Sequence, residues 1–121
     1  MKKNLISFEE IQKICVRMPN WVGDVVMATP FLKNLRKAFP HQKIDLIMRA
    51  HLIPILEDFS YVDEIFPIYD KGWRGPFQSA QKLRHHKYDL AFILPHSFRC
   101  ALTFKLASIP IRIGFGGALH S

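Results

Sequence analysis

Residues 19–24, Pro-Asn-Trp-Val-Gly-Asp, set one carboxylate, Asp24, in the turn between an apolar strand pattern and an apolar helix pattern. A carboxylate fixed in such a turn can take the proton from an attacking hydroxyl, general-base chemistry that contributes about 10²- to 10⁴-fold. The same placement suits an N-cap, whose side chain accepts a backbone N–H of the first helical turn. Position alone leaves both roles open. Gly23 beside it lets the backbone approach a ligand closely or take a positive φ. Much later in the chain, His96, Ser97 and Arg99 bring an imidazole, a hydroxyl and a guanidinium together. The planar fork of Arg99 fits a phosphate or carboxylate, with a solvated helix position as the alternative. Ser97 serves equally as a ligand contact or as the cap of a helix. Arg112, on a short edge strand, reads as structural or exposed at the rim.

These groups need elements to position them. Ile11, Ile14, Val16 and Met18 alternate with Lys13, Cys15 and Arg17, the period of a buried strand. Val25, Ala28, Leu32, Leu35 and Phe39 then recur at three- and four-residue steps, one face of a helix. Pro30 conflicts with that helix and predicts either a kink or a restart with Thr29 as cap. Further strands are expected over 43–49, 64–69, 88–94 and 111–115, and helices over 51–59, 77–86 and 98–107. Such alternation predicts an α/β, Rossmann-like, doubly wound parallel sheet with helices on both faces. In the order 3-2-1-4-5, the first and fourth strands flank the switch point, where ligands bind beyond the carboxyl ends. Asp24 follows one of these strands; His96, Ser97 and Arg99 follow the other. The fold alone would bring them to one crevice suited to a sugar.

Other constellations carry less. His85 and His86 are adjacent, point to different helix faces and cannot jointly grip a metal, and no cysteine pair has zinc spacing, so no metal is expected. Gly114-Phe115-Gly116-Gly117 lacks the spacing of a phosphate-cradling loop. Cys15 and Cys100 read as buried thiols rather than a disulfide. The run Arg84-His85-His86-Lys87 is a basic helix end favoured by the dipole, with a membrane-facing role as the alternative. Trp73 beside Arg74 suits packing on the domain or contact with lipid headgroups.

Across the 121 residues, 49% are apolar, enough for the core of one small domain. The excess of 17 Lys+Arg over 10 Asp+Glu gives a formal charge of +7, which attracts anionic partners. Nucleic acid, phospholipid and phosphorylated glycolipid all qualify by charge, but no recognised nucleic-acid motif is present and none is expected as a partner. Ser7, Glu9 and Glu10 interrupt any signal-peptide pattern, and no apolar run of spanning length follows, so a cytoplasmic location is expected.

Four segments together resemble a known family. Arg17-Met18-Pro19-Asn20-Trp21-Val22-Gly23-Asp24, followed by Ala28-Thr29-Pro30, is similar to the opening signature of the ADP-heptose:lipopolysaccharide heptosyltransferases of glycosyltransferase family 9, most of all their heptosyltransferase II branch. Phe39-Pro40 leading to Lys43-Ile44-Asp45-Leu46 matches the passage from first helix to second strand. The stretch from Asp89 to Arg99 resembles a strand ending in Leu-Pro-Asn-Ser with a basic residue after it, and Ile109 to Phe115 resembles a block Gly-Ile-Pro-x-Arg-x-Gly. His96 stands where the family usually has Asn, and Ser108 where it has Gly.

The resemblance implies a GT-B fold of two Rossmann-like halves. Residues 1–121 would be a single, incomplete, acceptor-binding amino-terminal domain, with the carboxy-terminal nucleotide-sugar domain absent. It implies Asp24 as the catalytic base of an inverting transfer, with Trp21, Gly23, His96, Ser97 and Arg99 contacting substrate. No cofactor or metal is expected, and the donor ADP-heptose would bind the missing half. The acceptor would be the phosphorylated inner core of lipopolysaccharide, reached peripherally at the cytoplasmic face of the inner membrane. The isolated chain would be inactive. Another glycosyltransferase of the same family, or a non-catalytic binding module, are the alternatives.

Overall fold

The computed structural model describes residues 10–68, 75–95 and 98–114. Five strands, β1 (Lys13–Arg17), β2 (Lys43–Arg49), β3 (Glu64–Ile68), β4 (Leu90–Ile93) and β5 (Ile111–Gly114), alternate with helices α1 (Val22–Met27), α2 (Thr29–Ala38), α3 (Ile53–Leu56), α4 (Gly75–His86) and α5 (Phe98–Leu106). They form one sheet in the order β3-β2-β1-β4-β5, as the alternation predicts. Every pairing is parallel, and β1 is the middle strand, with Ile14 opposite both Ile44 and Leu90.

Period-2 alternation in the strands divides the core into two layers. Ile14 and Val16 of β1, with Met18 just beyond it, join Ile44, Leu46 and Met48 under Leu32, Leu35 and Phe39. On the opposite face, Cys15, Ile47, Ala91 and Ile93 pack with Leu83 of α4 and Phe104 of α5. Burial of both faces is what a parallel sheet requires. Cys15 is a free, buried thiol; burial, then the nearby Asp45 charge, pushes its pKa up. Cys100 lies outside the described side chains.

Pro30 breaks the first helical stretch in two, and the cap differs from the one expected. The chain restarts at Thr29, with Ala28 as N-cap and Pro30 as second residue. There the ring removes only an N–H that has no partner inside a helix. The Thr29 hydroxyl instead donates to the Val26 carbonyl at 2.8 Å, tying the two helices together. The helix expected over 51–59 is shorter: a 3₁₀ turn, Ala50–Leu52, leads into the four residues of α3, with Pro54 in its first turn. β4 is also shorter than 88–94, although Asp89 N–H to Lys13 O (2.8 Å) and Leu94 N–H to Arg17 O (3.1 Å) continue its pairing at both ends.

Charged side chains close the amino ends of the strands. The Asp89 carboxylate accepts the Gln12 and Lys13 N–H groups at 2.9 and 3.1 Å. Asp63 accepts the Ile44 N–H and the Arg36 guanidinium, both at 2.8 Å. Asp45, fully buried on β2, accepts the Tyr88 hydroxyl at 2.7 Å, and Lys43 lies between Asp45 (3.7 Å) and Glu64 (2.6 Å). Burial raises the Asp45 pKa against the opposing pull of Tyr88 and Lys43.

Candidate functional site

At the carboxyl end of β1 the chain leaves the sheet through Met18, whose N–H still donates to Ile47 O at 2.9 Å. Arg17 is fully buried there, and its Nη1 donates to Met18 O at 2.5 Å. A guanidinium on the first carbonyl past the strand fixes where the turn departs. The period-2 pattern places Arg17 on the core face with Cys15, and a charged residue at such a position is a signal of a structural role; within the motif it had stood only as one residue of the resemblance.

Trp21 follows in extended conformation (φ −122°, ψ 145°) and is the N-cap of α1, accepting the Val25 N–H on its carbonyl at 2.9 Å. No side chain caps this helix. Asp24 is therefore not the N-cap that its position allowed: it is the third residue of α1, inside the first turn. Its carboxylate is exposed and makes no hydrogen bond or ion pair with the described residues. The helix N-terminus favours its negative charge. A carboxylate so placed is open to an incoming hydroxyl.

Gly23, one residue before, is exposed in open space: a Cβ built on it would meet nothing within 4 Å. Neither packing nor a positive φ demands glycine here. The position faces open space.

β1 and β4 lie side by side with Arg17 opposite Ile93, so the segments after both strands leave the sheet at neighbouring points of the same edge. That is the switch point the strand order predicts. His96 and Ser97 lie outside the described residues, as does the side chain of Arg99, whose backbone is the second residue of α5. Asp24, Trp21 and Gly23 are thus placed together. The three residues beyond β4 are placed only to the extent that β4 delivers its chain to the same edge.

Arg112 is structural, its Nη1 donating to Ile109 O at 2.8 Å. His85 is exposed while His86 lies between the rings of Phe66 (4.8 Å) and Tyr88 (5.6 Å), so the adjacent pair diverges as expected. Arg84 donates to Leu106 O at 2.5 Å and joins α4 to the end of α5. Among the described residues no cluster of three His, Cys, Asp or Glu could hold a metal ion. A cavity of about 660 Å³ lies between α4 and β3, lined by Phe66, Ile68, Leu83 and His86; it contains none of the expected site residues. We take the edge of the sheet at Asp24 as the site because an accessible carboxylate sits there.

No protein-family model matches the chain. Curated proteins and solved structures do. Lipopolysaccharide heptosyltransferase 2 of Escherichia coli is 34% identical over 114 residues, covering 89% of this chain and 32% of that protein. The structure of E. coli ADP-heptose lps heptosyltransferase II superposes with a TM-score of 0.76 at 35% identity, over 85% of this chain and 30% of that one. A glycosyl transferase family 9 protein from Veillonella parvula superposes with a TM-score of 0.77 at 25% identity, over 93% and 34%. The chain spans about a third of the length of the curated relatives it matches. In sequence and in fold the chain is similar, over about a third of their length, to the lipopolysaccharide heptosyltransferases.

Proposed function

We propose that the chain is the acceptor side of an inverting heptosyltransferase, with Asp24 as the base that deprotonates the acceptor hydroxyl. The observation that carries this reading is the Asp24 carboxylate itself: exposed, without a partner among the described residues, and set at the edge where β1 and β4 run side by side. A structural aspartate would be engaged with backbone N–H groups, as Asp63 and Asp89 are. In a single displacement the nucleophile approaches opposite the leaving nucleotide, so the base belongs on the acceptor's side. The donor, ADP-heptose by the name of the solved relative, would bind the part of such a protein that this chain does not span.

In this reading Trp21 offers an exposed ring to a sugar, Gly23 lets it approach the backbone, and His96, Ser97 and Arg99 close the far side, Arg99 toward a phosphate of the inner core. No metal or cofactor takes part. The protein would work at the cytoplasmic face of the inner membrane as a peripheral partner of its lipid-linked acceptor. No helix among the described residues is long and apolar enough to cross a membrane.

The test is a chimera in which this chain replaces the matching third of the E. coli relative. Transfer needs donor and acceptor held in near-attack geometry, worth about 7 to 11 kcal/mol, so the 121-residue chain alone is expected to be inactive and the chimera active. Asp24→Asn in the chimera should lower kcat at least about 10²-fold and leave acceptor affinity within a few-fold. Near-normal turnover of the Asp24→Asn chimera would remove this carboxylate from the chemistry.

A further inference from the structure

Arg17, the last residue of β1, is tied to both segments that leave the sheet beside the candidate site. Its Nη1 donates to Met18 O at 2.5 Å, on the turn that leads to Asp24. Its own carbonyl accepts the N–H of Leu94, the first residue past β4, at 3.1 Å. Because Pro19 has no N–H, the Met18 carbonyl is the one hydrogen-bonding group of the peptide that starts the turn. Among the described residues Arg17 is also the largest side chain that is fully buried. An aliphatic side chain would fill that place without desolvating a charge, so packing alone gives no reason for arginine. What a guanidinium adds is direction, because its donors are fixed in one plane.

That direction matters because α1 does little to place itself. It has six residues, no side-chain cap and one buried side chain, Val25. A helix so short is marginal without tertiary support. Its far end is held by the Thr29 hydroxyl on Val26 O at 2.8 Å. At its near end, Pro19 and Asn20 alone separate Met18 from the N-cap Trp21, and the Pro19 ring fixes one backbone angle of that link. Asp24, in the first turn, therefore stands where the bond from Arg17 to Met18 O sends the chain.

We propose that Arg17 is a positioning residue for the proposed transfer. It does not touch substrate. It holds the turn so that Asp24 meets the acceptor hydroxyl in near-attack geometry, where a displacement of about 1 Å can cost about 10²-fold. The catalytic consequence rests on Asp24 being the base; the anchoring of α1 does not, and it is read without catalysis.

The anchoring is tested by amide hydrogen exchange on the whole 121-residue chain. The Val25 N–H, bonded to Trp21 O at 2.9 Å, should exchange at least about tenfold faster in Arg17→Met than in the unmodified chain. The Ile44 N–H, held by Asp63 toward the amino ends of the strands, should not change. An equal rise at both sites would show general destabilisation, and no change at Val25 would show a helix that places itself; either overturns the proposal. The catalytic consequence is tested in the chimera. There Arg17→Met should lower kcat at least about tenfold with KM for ADP-heptose within about twofold, and Arg17→Lys, which keeps a charged donor, should recover part of the loss. Asp24→Asn should then cost less in the Arg17→Met background than alone, because the carboxylate is already misplaced, whereas a merely structural loss would leave its cost unchanged. An unchanged kcat in Arg17→Met, or an equal cost of Asp24→Asn in both backgrounds, overturns the positioning role and leaves Asp24 as the base. Near-normal turnover of Asp24→Asn alone overturns the base, and the positioning role with it. If Arg17→Met does not fold, Arg17→Lys takes its place in both comparisons; if neither folds, the side chain is structural and the proposal fails.

Discussion

Ser108 takes φ 61°, the left-handed region, just past the end of α5. Its N–H donates to Lys105 O at 3.0 Å, so the helix is closed by a residue whose Cβ is strained there. This is the position where the resembling family carries glycine, and the conformation supplies the reason. Ser108→Gly should relieve about 1 kcal/mol, offset in part by the greater freedom of glycine in the unfolded chain. A rise of a few degrees in Tm, with the far-ultraviolet spectrum unchanged, is the expected measurement. An unchanged or lower Tm would mean that the serine hydroxyl contributes more than the strain costs. Asp24 shows the opposite limit of reading single residues. Its type and its neighbours pointed to chemistry, but whether it caps the helix depends on where that helix begins, and this was fixed only when Trp21 proved to be the N-cap.

Short elements carried most of the differences between expectation and structure. The strand order and the parallel sheet follow from alternation, because each strand buried on both faces announces itself by apolar content. Ends were less legible. Phe59 continues the three- and four-residue apolar spacing of Leu52 and Leu56 beyond α3, yet the helix stops at Leu56, since a four-residue turn is held by packing of Leu52 and Leu56 rather than by helix propensity. In α1 the glycine allows a sharper test. Because a Cβ at residue 23 meets no protein atom, Gly23→Ala should preserve the fold and, as alanine favours helices, add up to about 1 kcal/mol of stability. The same substitution in the chimera should weaken acceptor binding, read as a higher KM, if the backbone there is approached by a sugar. A variant both more stable and fully active would leave Gly23 without a role in binding. Sequence had offered close approach or positive φ as its reasons; the space around it favours the first.

At the scale of the molecule, two carboxylates give stability opposite dependences on pH. Burial alone would raise the pKa of Asp63, but the Ile44 N–H and Arg36 outweigh it and hold the group below its ordinary value. Its contribution is present above the unfolded pKa and is lost as pH falls through the folded one. Asp45 runs the other way: with its pKa raised, its favourable contribution exists below the unfolded value and is lost as pH rises through the folded value. Asp63→Asn should therefore destabilise the chain at neutral pH, by about 1 kcal/mol or less because the group is partly screened by solvent, and flatten the loss below about pH 4. Asp45→Asn keeps an acceptor for the Tyr88 hydroxyl and should hold or raise stability at neutral pH. Urea midpoints across the acid range read both. The heptosyltransferase relationship was legible at this scale because four separated segments carried it in order; the buried Asp45–Tyr88 pair was not, since nothing in either residue's neighbours tells which strand the other will face.

The middle position of β1 sets the order in which the chain can be completed. During synthesis β1 emerges first, and β2 and β3 can add to one side of it as soon as they follow. Its other side waits for β4, and the backbone N–H groups of Gln12 and Lys13 wait for a carboxylate 77 and 76 positions away. Until residue 89 is available, β1, the first of these five strands to be made, keeps one bare edge, open to pairing with any other chain. Closing so long a loop is slow compared with local helix formation. Of the five strands, the one that anchors the candidate site is thus made first and secured late, and the nascent sheet is most vulnerable to misassociation at the element on which its proposed chemistry depends.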